Sequence, residues 1–93
     1  MQKKSMHSKY RLTYKKTAFK YLNRLESKVF KKIIFLLLKI SQWFEENLDI
    51  EIMKGEIDTY RLRVGGLRVV YEKKDTVMTI LVIKIWPRWD VYK

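Results

Sequence analysis

The stretch Tyr60-Arg61-Leu62-Arg63-Val64-Gly65-Gly66-Leu67-Arg68-Val69-Val70-Tyr71 decides the fold. Two alternating segments flank a Gly-Gly pair, the pattern of a β-hairpin with a two-residue turn. Such a turn sets the register: Val64 faces Leu67, Leu62 faces Val69, and Tyr60 faces Tyr71. Side chains alternate between the faces of a strand, so the apolar and aromatic set takes one side and Arg61, Arg63 and Arg68 take the other. Arg63 and Arg68 then fall directly opposite each other. Like charges paired across strands cost from a few tenths to about 1 kcal/mol. The arrangement makes most sense with an anion over it, and the planar fork of arginine suits phosphate. The plainer reading is a solvated face whose arginines keep the sheet soluble.

Downstream, Lys73-Lys74-Asp75 reads as a turn into a third long strand, Val77 to Ile85. That run is almost continuously apolar, as in a strand covered on both faces, and Pro87 is expected to end its ladder. Upstream, Gly55 breaks the pattern and Leu48 to Ile52 alternates weakly. A long helix is predicted from a Ser27 cap to about Asn47, with Val29, Phe30, Ile33, Leu37, Ile40 and Phe44 as its core stripe. Ile34, Phe35, Leu36 and Leu38 make it apolar nearly all round, which implies a sandwiched helix or an interface. Trp43 reads as core or helix interface. A shorter helix from Lys16 places Phe19, Leu22 and Leu25 on one face, and Tyr10 to Tyr14 alternates as a short strand. Residues 1–8 read as a disordered basic arm, and 9–93 as one domain. The order β-α-α-β-β-β is an α+β layout, two helices on one face of a small, mainly antiparallel twisted sheet whose other face carries the arginines.

With 93 residues the chain has room for one core and one site. Its formal net charge is +11, from 21 Lys and Arg against 10 Asp and Glu, and Glu26 is the one acid before Glu45. A polyanionic partner follows, and nucleic acid fits best because basic patches gain affinity by releasing condensed counterions. The absence of cysteine excludes a disulfide framework, a thiol nucleophile and a thiolate metal site. A single histidine, His7, supports neither an imidazole metal site nor a serine-hydrolase triad, so the expected chemistry uses no metal and no cofactor. The run Ile33 to Leu38 is too short to span a bilayer, and no secretory leader pattern opens the chain, so the expectation is a cytoplasmic protein without membrane contact.

From about Tyr10 to Lys93 the sequence resembles the RelE/ParE superfamily of bacterial toxins, and more closely its RelE-type mRNA interferase branch. The residues that carry the likeness are Met53-Lys54-Gly55, the hairpin from Tyr60 to Tyr71, and the terminal Ile85-Trp86-Pro87-Arg88-Trp89-Asp90-Val91-Tyr92. Families of this kind end in a pattern such as I-G-H-R-x-x-V-Y. Arg88 and Tyr92 match it, whereas Trp86 and Pro87 stand where Gly and His are common.

The resemblance implies ribosome-dependent cleavage of mRNA in the A site by attack of the ribose 2′-hydroxyl on the adjacent phosphate. Carried over by position, it assigns Arg61 and Arg68 to transition-state charge, Arg88 to phosphate and leaving group, and Tyr92 to the base. Lys54 and Arg63 are further RNA contacts. Trp86 and Trp89 flank Arg88, and one of them is expected to stack on a base, the alternative being that they cover the end of the sheet. Lys28, Lys31 and Lys32 are expected to anchor on rRNA phosphates. The implied partners are mRNA, the ribosome and an acidic antitoxin protein that folds over the apolar helix and basic face. A ParE-type gyrase inhibitor and a noncatalytic RNA-binding module of the same fold are the rival readings.

Overall fold

The hairpin forms in the expected register in a computed structural model that describes residues 10–87. In chain order the elements are β1 (Arg11–Tyr14), α1 (Lys16–Asn23), α2 (Ser27–Ser41), β2 (Ile50–Ile52), β3 (Thr59–Val64), β4 (Leu67–Lys74) and β5 (Thr79–Pro87). The five strands form one sheet in the order β1-β5-β4-β3-β2. All pairings are antiparallel except β1 with β5, which is parallel. The fold is therefore α+β as expected, with the weakly alternating segment after Leu48 supplying an additional edge strand. The expected arm at residues 1–8, together with Arg88, Trp89 and Tyr92, lies outside the described residues.

Gly65 takes a φ of 58°, and it alone of the two turn glycines has a positive φ, as in the II′ turn that matches strand twist. Period-2 alternation then buries Leu62, Val64, Val69 and Tyr71 on the helix side of the sheet. They share one core with Ile80, Val82 and Ile85 of β5, Ala18 and Leu22 of α1, and Ile33, Leu37 and Ile40 of α2. The last three recur at the helical spacing and have no solvent exposure.

Helix α2 ends at Ser41, six residues before the expected Asn47. The Phe44 amide bonds the Lys39 carbonyl at 2.8 Å and the Trp43 amide bonds the Ile40 carbonyl at 3.1 Å. Trp43 between them has a φ of 69°. This is a Schellman stop with tryptophan in the left-handed position that glycine normally fills, so no local residue signals it. The stop turns Trp43 and Phe44 outward, 58% and 61% exposed, so Phe44 leaves the expected core stripe and, of the two expectations for Trp43, core or helix interface, the core one fails. Phe35 and Leu38 are also exposed, so the described residues cover α2 on one side only. At the other end Glu26 holds the cap position with no side-chain bond and Ser27 is the first helical residue, which corrects the expected serine cap. Phe19 packs on the Tyr14 ring at 5.7 Å and stays half-exposed, leaving Ala18 and Leu22 as the buried residues of α1.

The turn into β5 lies later than expected, as a single helical turn over Asp75–Val77. In β5 the pairing with β4 slips between Val70 and Tyr71: Val70 faces Lys84, and Tyr71 faces Val82. Ile83 is the extra residue of a β-bulge, which resets the alternation of the strand. Ile80, Val82 and Ile85 thus all face the core, while Lys84 and Trp86 turn to the opposite side. Pro87 is paired with Leu67 and is the last residue of β5 and of the described chain.

Candidate nucleic-acid interface

The sheet face away from the helices is built in two cross-strand rows. Glu51, Arg61, Val70 and Lys84 form one, and Arg63, Arg68 and Trp86 form the other. Arg63 and Arg68 are directly opposed, as the Gly-Gly turn requires. Val70 is the buried apolar residue of this face and has no part in the helix-side core. A cationic surface with an apolar centre suits nucleic acid, which presents both phosphates and flat apolar bases.

The three arginines differ in what they hold. Arg61 donates a short charge-assisted hydrogen bond to Glu51. The Nε of Arg63 lies 3.3 Å from Asp49 Oδ2, and its terminal nitrogen lies 4.0 Å from Glu51. Arg68 makes no ion pair among the described residues. Its Nε, like that of Arg61, is screened from solvent and lacks a hydrogen-bond partner among the described residues. A buried donor without a partner costs roughly 1–3 kcal/mol, a cost that an incoming acceptor would relieve. The hydrogen bond and charge of Arg61, followed by weaker charge effects of Arg63 and Arg68, hold the Glu51 carboxyl below its ordinary range.

Lys84 reaches this face because of the bulge at Ile83, and its Nζ stands 5.1 Å from the centre of the Trp86 ring. The half-buried Trp86 therefore carries a cation against one of its faces. Lys54 is exposed in the turn after β2, where Gly55 takes a φ of 83°. Lys28, Lys31 and Lys32 sit on α2, on the other side of the sheet from the arginines. Lys28 and Lys32 flank an apolar cleft of about 450 Å³ between Val29 of α2 and the hairpin residues Val64 and Leu67. The anticipated RNA contacts thus form two separate surfaces, an arginine face and a lysine-edged helix side.

No protein-family model matches the chain, and no curated protein matches it in sequence. Solved structures do. The RelB–RelE antitoxin–toxin complex from Methanococcus jannaschii contains a chain of 26% identity and TM-score 0.71, with 86% of this chain and 94% of that one covered. The archaeal RelE–RelB complex from Pyrococcus horikoshii gives 26% identity and TM-score 0.73 over 86% and 96%. The intact RelBE toxin–antitoxin complex of E. coli gives 28% and 0.68 over 84% and 95%. The chain has the fold of the RelE-type toxins and is similar to them.

Within this RelE-type frame, sequence reading located Arg61, Arg63 and Arg68 on one face; the structure adds Trp86, the cross-strand partner of Arg68, and three residues that the reading missed. Lys84 was hidden in an apolar run by the bulge. Glu51 was hidden in a strand of three residues and Asp49 just before it, although the period-2 spacing of the two acids was a usable signal. Among the described residues, no group of three or more His, Cys, Asp and Glu is placed to hold a metal, and no helix is long and apolar enough to cross a membrane.

Proposed function

We propose that this chain is the toxin of a toxin–antitoxin pair, a cytoplasmic ribosome-dependent endoribonuclease that cuts mRNA in the A site and so stops translation. The observation that carries the reading is the arginine face, above all Arg68, a cation without a carboxylate partner among the described residues, set beside Arg61 and Arg63. Transesterification by the ribose 2′-hydroxyl needs positive charge on the phosphorane-like transition state, a base for the hydroxyl and stabilisation of the leaving 5′-oxygen. Arg68 and Arg61 supply the first. Arg88 takes the leaving group and Tyr92 the base, following the positions that match the terminal pattern of the family. Trp86 and Trp89 supply stacking, and Lys54 contacts the RNA backbone.

The solved relatives that are complexed with RelB antitoxins support an antitoxin partner for this chain as well. Exposed Phe35, Leu38, Trp43 and Phe44, with Lys39 among them, suit an acidic segment that folds as it binds. A small acidic protein encoded by the adjacent reading frame would be that partner.

The test is cleavage of a defined mRNA by the purified chain, with and without translating ribosomes, mapped by primer extension. An arginine site with no built-in grip on the ribose relies on the ribosome to align the 2′-hydroxyl with the phosphate. Cuts should appear on the ribosome only and should persist in EDTA. Efficient cutting of free RNA, or loss of activity in EDTA, rejects the mechanism. Inhibition of DNA gyrase with intact mRNA would place the chain with the ParE-type toxins instead.

A further inference from the structure

We propose that Asp49 and Glu51 are specificity-determining residues of the arginine face, a built-in pair of counter-charges that loosely held polyanions must displace. The inference rests on the reading that this face receives RNA phosphate.

The five charged groups concerned are Arg61, Arg63 and Arg68 against Asp49 and Glu51. Unpaired, the arginines would present three positive charges to any passing nucleic acid. With the acids in place, Arg61 is occupied by Glu51 and Arg63 by Asp49, and only Arg68 is without an ion pair among the described residues. Backbone geometry fixes this arrangement: Glu51 is the cross-strand partner of Arg61, and the Arg63 amide bonds the Asp49 carbonyl at 2.9 Å. The carboxylates nevertheless remain open to water, with about half of each side chain exposed, so they can be exchanged for phosphate. Glu51 lies in the three-residue edge strand of the sheet and Asp49 immediately before it, and short edge strands lie at the weakly held end of a fold.

The energetic consequence is discrimination. An arginine that already holds a carboxylate gains little by exchanging it for phosphate, because one ion pair replaces another. A free polyanion held by scattered contacts therefore gains little from Arg61 or Arg63. A phosphate pressed onto Arg68 by the ribosome-bound mRNA path gains an unpaired cation at once, and its neighbouring phosphates displace the acids at close range. A purely structural role for the acids, holding the edge strand on β3, predicts no such discrimination. Amide substitutions separate the two roles, because they keep the shape and hydrogen-bonding capacity of the side chain and remove its charge.

The experiment measures binding of a fluorescein-labelled single-stranded decauridylate to the full chain by anisotropy, as a function of NaCl. The variants are Asp49→Asn, Glu51→Gln and the double D49N/E51Q, with circular dichroism as the control for folding. Each additional phosphate neutralised steepens the dependence of log Kd on log salt by about 0.7 for single strands. The double variant should therefore gain up to about 1.4 in slope and bind roughly tenfold tighter at low salt, with each single variant between. Adding Arg61→Ala and Arg63→Ala to the double variant should return the slope to the wild-type value, which assigns the gain to this face rather than to the lysines of α2. Unchanged affinity and slope in folded variants overturn the inference, and so does weaker binding. Binding is read without cleavage, so a chain that fails to cut mRNA on ribosomes yet shows the steeper slope refutes the nuclease reading and leaves this one standing.

Discussion

At the scale of single residues, the arginines of one face are not equivalent, and their partners say why. Arg63 and Arg68 stand opposite each other across β3 and β4, a pairing that costs up to about 1 kcal/mol between like charges. Asp49 pairs with Arg63, and Arg68 makes no ion pair among the described residues. A site whose task is to meet a phosphate gains from that imbalance, since the unpaired cation loses nothing on exchange. Arg68→Ala should therefore lower the single-turnover cleavage rate on ribosomes by about 10²-fold, the scale of removing one transition-state charge interaction. Arg61→Ala, which removes a cation already held by Glu51, should cost less. The melting temperature of the Arg68 variant should stay level or rise, because a like-charged neighbour and a buried unpaired donor both disappear. A larger rate loss in Arg61→Ala than in Arg68→Ala would reverse the ranking.

At the scale of elements, what was legible in the sequence followed from local rules and what was missed followed from exceptions to them. The hairpin was readable to the residue because a Gly-Gly turn leaves one register, and β3 and β4 obey the alternation without interruption. The end of α2 was not, since Trp43 adopts the left-handed stop that chemistry normally reserves for glycine. The two faces of β5 were not, since one extra residue at Ile83 exchanges odd and even positions in mid-strand. Gly65 is where the local rule is most exposed to test. Its φ of 58° penalises any side chain, although open space surrounds the position where a Cβ would stand. Gly65→Ala should thus destabilise the fold by about 1–2 kcal/mol through backbone strain alone, and Gly66→Ala, with no positive φ, by less. Equal losses in chemical denaturation would show that the turn is of another type.

A second element-scale device ties the start of β1 to the turn before β5. The Tyr10 hydroxyl donates to Asp75 Oδ1 at 2.6 Å, and the Tyr10 amide bonds the Ser41 carbonyl at 2.9 Å. Burial, with the adjacent Asp75 carboxylate, pushes the Tyr10 phenol up to about 12. Burial also raises the Tyr71 phenol. A phenol whose folded pKa exceeds its unfolded value stabilises the fold fully below the unfolded value of about 10, and that contribution is lost as pH rises towards the folded value. Stability should accordingly fall between about pH 10 and 12. In Tyr10→Phe the fall should be shallower, and the late phenolate step near 12 should vanish from the ultraviolet titration. An unchanged titration would mean that Tyr10 ionises as an exposed tyrosine does.

At the scale of the whole molecule, whose net charge is +11, the arginines of the sheet and the lysines of α2 lie on two surfaces with different physics. The arginine face is partly neutralised by its own carboxylates, whereas Lys28, Lys31 and Lys32 project from α2 on the far side of the sheet and are exposed. None of the three lysines makes an ion pair among the described residues. Exposed lysines bind phosphate as mobile point charges, and their contribution is mainly counterion release, which sets affinity and salt dependence without orienting a reacting group. Under the proposed function, the helix side is the anchor and the arginine face carries the chemistry. Replacing Lys31 and Lys32 together by alanine should weaken ribosome binding and lower its salt slope by up to about 0.9 for each phosphate left without its cation. The single-turnover rate at saturating protein should not change, because no described interaction links these lysines to Arg61 or Arg68. A variant that binds ribosomes normally but cleaves slowly would break this division, and would require the two faces to meet one RNA strand around the end of the hairpin, where Lys32 and Leu67 line the same cleft.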